Sequence, residues 1–431
     1  MRSTPALDAR TGIEKLATYP YQILTWVDDA GYPVSVAVDA RVDVAELRVR
    51  FEAPAGLTVP ADREVSLTGS HIRPQPGYGY DERRHVTVWG LATVSGTTVA
   101  VVGRKAWGWD EAEVPFFEYS ERSVGKSRAY FDALSAERGT PVKPRLSFGF
   151  LTLRTTRLPF LTATIVPVLL GILIAASRGS FDLVAAILTI IAASFVQLGL
   201  NVANDVFDTM SGADDANVTP TQFSGGSRVI QYGLVSLRQM ATLSTIFYVL
   251  AGLIGLILLA THGSTALLAI GIVGFIVSLG YTAPPLKFVY RGLGEIAVAL
   301  GFGPLMLLGA YVVQTGGSIA WEPAVASIPV ALLVSLILYV NEIPDRRGDA
   351  RAGKRTLPVR FSREAVIGGY NVAVAAAYVV LVVGVVVGAL PVTVLLMLLT
   401  IPLALKVSRG LAPNYENPYG LMAIMGTNVQ L

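Results

Sequence analysis

The chain has 431 residues, enough for two domains, with no cysteine and a net charge of only +3. The lack of cysteine excludes disulfides, thiolate metal sites and cysteine nucleophiles, and the small net charge argues against a nucleic-acid partner. With 52% of residues hydrophobic, 15% charged and a mean hydropathy of +0.55, much of the chain is suited to a bilayer rather than to water.

The charges are unevenly spread. Residues 1–150 hold 18 of the 34 Lys/Arg and 19 of the 31 Asp/Glu, while the other 281 residues hold 16 basic and 12 acidic side chains. This predicts a soluble N-terminal domain at 1–145, a linker at 146–157 and a membrane domain at 158–431. The N-terminus has no apolar h-region, so no secretory signal peptide is expected. Strand-like runs fall at 21–27, 33–38, 46–51, 64–68, 85–94 and 98–102, separated by turn signals at 28–31, 54–56, 74–79 and 95–96. Such strands suit a small β-barrel-like domain, followed by a polar helix at 123–137.

From residue 158 the chain becomes a series of apolar runs at 158–176, 181–200, 240–259, 265–281, 296–313, 324–340, 366–388 and 390–405. A short ninth run at 419–431 either spans or lies partly in the interface. The expected fold is therefore multi-domain: an all-α transmembrane bundle of eight to nine helices preceded by a soluble β domain. Arg145, Arg154, Arg157 and the Lys/Arg of four later loops fall on one side of this bundle, and only Arg178 on the other. The bias predicts a plasma-membrane protein whose N-terminal domain and polar loops are cytoplasmic.

Two constellations carry chemistry. Asn201, Asp205 and Asp208 stand at i, i+4 and i+7, on one helical face, with Asn204 four residues before Asp208. Each carboxylate in mid-bilayer costs about 2.5–3.5 kcal/mol on insertion scales, so the pair calls for a compensating cation. Mg²⁺ takes oxygen ligands and commonly bridges carboxylates to substrate phosphate. In the loop expected after the sixth span, Asn341, Asp345 and Asp349 repeat at four-residue intervals, sharing a helical face if Pro344 sits in a first turn or kink. Arg346, Arg347, Arg351, Lys354 and Arg355 follow closely. Carboxylates for metal beside cations for phosphate fit a diphosphate ligand.

At these residues the chain resembles the UbiA superfamily of intramembrane prenyltransferases. NVANDVFD, with Gly212 and Asp214, is similar to the first family motif, and DRRGDARAGKRTL to the second. Residues 281–316 resemble the branch that attaches polyprenyl chains to 1,4-dihydroxy-2-naphthoate in menaquinone synthesis. The resemblance implies nine helices around a central cavity, with polyprenyl diphosphate and an aromatic acceptor as substrates. It implies Asn201, Asn204, Asp205, Asp208 and Asp214 at one Mg²⁺ site, Asp345 and Asp349 at a second, Asn341 beside substrate, Lys354 and Arg355 on diphosphate, and Arg228 closing over it. Tyr281 either stabilises positive charge through its ring face, orients the acceptor, or is an interfacial belt tyrosine. Glu295 is expected to pair with Lys287 or Arg291. The second motif begins Asn-Glu-Ile-Pro-Asp where the naphthoate branch more often has Asn-Asn-x-Arg-Asp. This leaves 4-hydroxybenzoate, homogentisate, a glycerol-phosphate ether lipid or a porphyrin as alternative acceptors. An ion-coupled transporter is the alternative from another class. The N-terminal domain is similar to FMN-binding split barrels, through GRKAWGW and YFDALSAER. That likeness makes FMN a candidate cofactor, with Arg83, Arg84, Arg104 and Lys105 as phosphate contacts. Oligomeric state is left open.

Overall fold

The computed structural model describes residues 6–53, 55–74, 80–144, 146–217, 219–221 and 223–431; Pro54, Arg145 and most of the expected 74–79 turn lie outside them. The chain divides into two compact units, Met1–Gly125 and Lys126–Leu431.

The first unit is an antiparallel sheet of eight strands: β1 (Ala6–Leu7), β2 (Gln22–Val27), β3 (Pro33–Val38), β4 (Arg41–Asp43), β5 (Arg48–Glu52), β6 (Glu64–Pro74), β7 (Tyr80–Ser95) and β8 (Thr98–Asp110). The pairing order is β3-β2-β6-β7-β8-β5-β4, with β1 added to β8; among the described residues no hydrogen bonds join the β3 and β4 ends. Burial alternates along β2 and β6, as period-two patterning requires, and Leu24, Leu67, Val88 and Val101 form the core. The strands β6 and β7 outrun the expected runs because their ends are charged rather than apolar. Arg73 there donates twice to Asp81 at 2.8 Å, holding a solvated ribbon that hydrophobic patterning misses. Helix α1 (Ala9–Leu16) was also unforeseen. Asp8 caps it, accepting from Thr11 N at 2.7 Å, and Gly12 lets it lie on the sheet, since a Cβ there would meet Ala106 Cβ at 2.2 Å.

Two of the four expected phosphate contacts in this unit are engaged elsewhere: Arg83 with Glu111 at 2.5 Å and Lys105 with Glu64 at 2.9 Å. The unit also holds His85 among Trp107, Trp109 and Tyr119, and burial pushes its imidazole below the usual range. Below about pH 6.5 the unfolded chain therefore binds a proton that the folded unit resists. Stability should fall as pH drops from 7 toward the depressed folded value, and His85→Phe should flatten that slope. Tryptophan fluorescence melts of the full chain can check this, because Trp26, Trp89, Trp107 and Trp109 lie in this unit and only Trp321 elsewhere.

Helix α2 (Phe116–Arg138) is longer than expected and carries the boundary between the units. The second unit is helical. Part of the expected linker is helix α3 (Phe148–Thr156), capped by Ser147, whose hydroxyl accepts from Phe150 N at 3.2 Å. Then follow α4 (Thr162–Ser177), α5 (Leu183–Ser211), α6 (Ala213–Ala216), α7 (Leu237–His262), α8 (Thr265–Gly280), α9 (Gly294–Leu300), α10 (Met306–Gln314), α11 (Trp321–Arg351), α12 (Leu357–Arg360), α13 (Arg363–Val386), α14 (Ile401–Asn414) and α15 (Pro418–Gln430). Among the described residues seven helical stretches are long and apolar enough to cross a membrane, against eight full spans expected. The difference is α8, apolar but only 16 residues long; α15, at 13 residues, matches the short ninth run. In the composite span Gly294–Gln314 a π-helical turn at Gly301–Leu305, containing Pro304, joins α9 to α10. At most 44% of any span's most apolar window is buried, and Leu253, Leu256, Phe275, Val379 and Leu396 are exposed. So apolar an exterior is a lipid-facing surface: this is an integral membrane protein.

Candidate active site

Helix α5 runs past its apolar stretch to Ser211 and stops where Gly212 takes φ +77°. Its last three turns carry Asn201, Asn204, Asp205 and Asp208, and α6 adds Asp214. The second cluster is not in a loop, as expected, but on the last turns of α11. Pro344 removes one donor without ending that helix. Gly353, at φ +77°, then reverses the chain, and Lys354 N donates to Asp349 O at 2.9 Å. The reversal aims the Lys354 ammonium back at both clusters.

Lys354 Nζ lies 2.7 Å from Asp208 Oδ2 and 3.8 Å from Asp349 Oδ1. Tyr290 OH donates to Asp208 Oδ1 at 2.7 Å, and Asn204 Nδ2 to Oδ2 at 3.3 Å. Asp205 accepts from Arg157 Nη2 at 2.7 Å and from Ser227 N at 3.1 Å. Asp345 accepts from Asn217 Nδ2 at 2.8 Å and from Gly225 N at 2.9 Å. The segment between α6 and α7 thus clamps both clusters. It approaches α11 so closely that a Cβ on Gly348 would meet Asn217 Cα at 3.0 Å. Arg228, itself buried at φ +63°, donates to the carbonyl of Asp214.

Several of these groups line a cavity of about 170 Å³, in which five carboxylates (Asp208, Asp214, Glu342, Asp345, Asp349) face two cations, Arg157 and Lys354. Burial, and then Asp208 and Asp205, push the Asp214 carboxyl well above its usual range. Burial alone would lower the Lys354 ammonium, but Asp208 and Asp349 outweigh it and hold the group above its usual value. A second, largely apolar cavity of about 580 Å³ lies among α5, α7, α8 and the composite span. Gln197, Leu200, Tyr281, Val298 and Phe302 line both cavities.

The sequence profile of the UbiA prenyltransferase family matches residues 164–420, more than half of the chain. The chain belongs to this family. It is a membrane-embedded prenyltransferase, not the ion-coupled transporter held as an alternative. It is 27% identical to a 1,4-dihydroxy-2-naphthoate octaprenyltransferase of Bacillus subtilis (strain 168), over 68% of this chain and 91% of that protein. With an enzyme of the same name from Escherichia coli (strain K12) it shares 32%, over 49% and 67%. A solved UbiA homolog from Archaeoglobus fulgidus, bound to GPP and Mg²⁺, is 15% identical with a TM-score of 0.48, over 65% of this chain and 95% of that one.

In this UbiA enzyme, Asn201, Asn204, Asp208, Asp214, Tyr281, Asn341, Asp345, Asp349 and Lys354 all line the polar cavity. Asp205 and Arg228 stand outside the lining, where they hold the wall together. Arg355 is exposed and not part of the lining. Arg346 and Arg347 turn away to Glu416, at 2.5 and 2.7 Å. Asn201 Nδ2 donates to Thr156 O at 3.0 Å, tying α5 to α3. Glu295 makes no ion pair with Lys287 or Arg291 among the described residues, because the first turn of α9 faces α11 and brings its carboxyl against Glu342. Arg291 donates instead to Pro285 O at 2.8 Å. Arg157, Asn217, Tyr290 and Glu342 were not foreseen as site residues. Asn217, two residues beyond the Asp214-Asp215 pair, was the most findable.

Lys354→Met would leave Asp208 and Asp349 without their shared cation. Removing one partner of a buried ion pair costs about 3–5 kcal/mol, so the variant should unfold at lower denaturant or temperature. Asp208→Asn in the same chain should restore part of the loss, as read from melting curves in detergent.

Proposed function

We propose that this enzyme transfers a polyprenyl group from a polyprenyl diphosphate to 1,4-dihydroxy-2-naphthoate, as in menaquinone biosynthesis. The observation that carries the reading is the shared wall between a charged cavity and an apolar one. A substrate with a diphosphate head and a long hydrocarbon tail needs that junction, with its scissile bond near Tyr281. The names of the two enzymes aligned above supply the acceptor. The bias of Lys and Arg to one side of the bundle supports a plasma-membrane enzyme whose charged cavity faces the cytoplasm.

The cavity's ligand set suits Mg²⁺. Its donors are carboxylate and amide oxygens, carboxylates outnumber cations there, and one ammonium already bridges Asp208 of the first cluster and Asp349 of the second. Among the described residues no three carboxylates converge tightly enough to cage a metal alone. This agrees with an ion held by one or two side chains plus phosphate oxygens. Asp208 and Asp214 on one side would hold one ion, and Asp345 and Asp349 on the other a second, while Asp205, outside the lining, would fix Arg157 beside them. When bound, Mg²⁺ supplies Lewis-acid neutralisation of the charge on the departing diphosphate. Lys354 and Arg157 add fixed positive charge at the same place. The apolar walls exclude water, so that the allylic cation left by C1–O cleavage meets the electron-rich ring carbon first, and the ring regains its aromaticity by losing that carbon's proton or its carboxyl group as CO2. Tyr281 presents its ring at the junction.

Purified protein given Mg²⁺, a polyprenyl diphosphate and dihydroxynaphthoate should form the prenylated product. Asp208→Asn or Asp349→Asn should cut the rate by about a hundredfold or more while the protein stays membrane-inserted, given the several kcal/mol that metal assistance supplies. A product with 4-hydroxybenzoate, homogentisate, an ether lipid or a porphyrin, and none with the naphthoate, would change the acceptor. Gly274 lines the apolar cavity, and a Cβ there meets nothing within 4 Å. Gly274→Phe should therefore fill the tail space, suppressing transfer from long polyprenyl diphosphates more than from a five- or ten-carbon donor.

A further inference from the structure

Glu342 stands apart from the other acids of the cavity. It is 5% exposed, lines the charged cavity, and neither carboxyl oxygen has a hydrogen-bond donor among the described residues. Asp208 and Asp345, by contrast, each accept from at least two donors. One helical step from Asn341, Glu342 points off the face shared by Asn341, Asp345 and Asp349. It lies against Glu295 of α9, with Tyr281 nearby. Glu295 also brings a buried oxygen without a donor. A proton shared between the two carboxyls would occupy one oxygen of each and still leave Glu342, a residue of the cavity lining, one acceptor without a donor.

A buried carboxyl oxygen without a donor is costly, so a ligand that supplies one gains affinity and direction from it. The diphosphate has only acceptors to offer. The hydroxyl groups of an electron-rich aromatic ring are donors, and Tyr281, which lines the same cavity as Glu342, marks the junction where the acceptor must meet the prenyl C1. We infer that Glu342 is the acceptor-hydroxyl subsite, held in place by Glu295, and that it aligns the ring while raising its electron density through a charge-assisted hydrogen bond. This rests on the proposed transfer to a hydroxyaromatic acceptor. It gives the two kinds of acid in the cavity different tasks: the aspartates serve the donor's head group, and Glu342 serves the acceptor.

The test is Glu342→Gln in the full chain, in detergent, with dihydroxynaphthoate and hydroxyl-free 2-naphthoate as fluorescent probes. Wild type should bind the dihydroxy compound more tightly. In the variant that preference should shrink roughly tenfold or more, as loss of a charge-assisted hydrogen bond demands, with the KM for polyprenyl diphosphate and the Mg²⁺ dependence changed less than about twofold. Because the amide brings its own donors to Glu295, the variant should melt no lower than wild type. An unchanged preference would overturn the inference, whether or not the melting point drops, and so would a shift in Mg²⁺ or diphosphate dependence. If wild type prenylates 4-hydroxybenzoate or homogentisate instead, the naphthoate reading fails, and the same comparison is made with that acid and its hydroxyl-free analogue. A wild type that accepts no hydroxyaromatic compound overturns both.

Discussion

The Lys354 ammonium, shared by Asp208 at the end of α5 and Asp349 at the end of α11, is the contact on which the site depends. The residues of its shorter bond are 146 positions apart in sequence. Neither acid would be tolerated alone in so buried a place. The pairing gives both a buried counter-charge while fixing the spacing of two membrane helices. The clamp on Asp345 from Asn217 and the Gly225 amide does the same from the segment that follows α6. Charge at the mouth of the bundle thus holds together helices that lipid gives no hydrophobic reason to associate.

That arrangement also determines where the two kinds of chemistry meet. Aspartates, Arg157 and Lys354 gather at one end of the cavity system, while α7, α8 and the composite span supply glycines and aliphatic side chains at the other. Tyr281, at the end of α8, belongs to both. An amphiphilic substrate placed in such a boundary has its reactive carbon at a defined point and its tail in a medium like the lipid it came from.

Much of the site was legible in the chain itself. Asn201, Asp205 and Asp208 at helical spacing after a long apolar run, and a matching set at 341–349, were sufficient to indicate paired acids at the ends of two spans. The misreadings have local causes. Pro344 suggested a loop or kink, yet α11 continues through it, since a single lost hydrogen bond near a helix end does little to a helix packed on its neighbours. Glu295 was matched to cations nearby in sequence, whereas its place on α9 aims it across at α11. Alternation of apolar residues gave the sheet core but not the charged ends of β6 and β7, which cross-strand ion pairs stabilise.

Composition and periodicity, then, determined what is local: an apolar bundle, a half-buried sheet, and acids too costly to bury without partners. The identity of those partners was decided only by the fold. Arg157, Asn217, Tyr290 and the turn at Gly353 come from separate stretches of the chain, and they converge because helix packing brings distant ends together at hydrogen-bond range. The same packing left Glu342 without a donor among the described residues, a feature that no spacing in one dimension records.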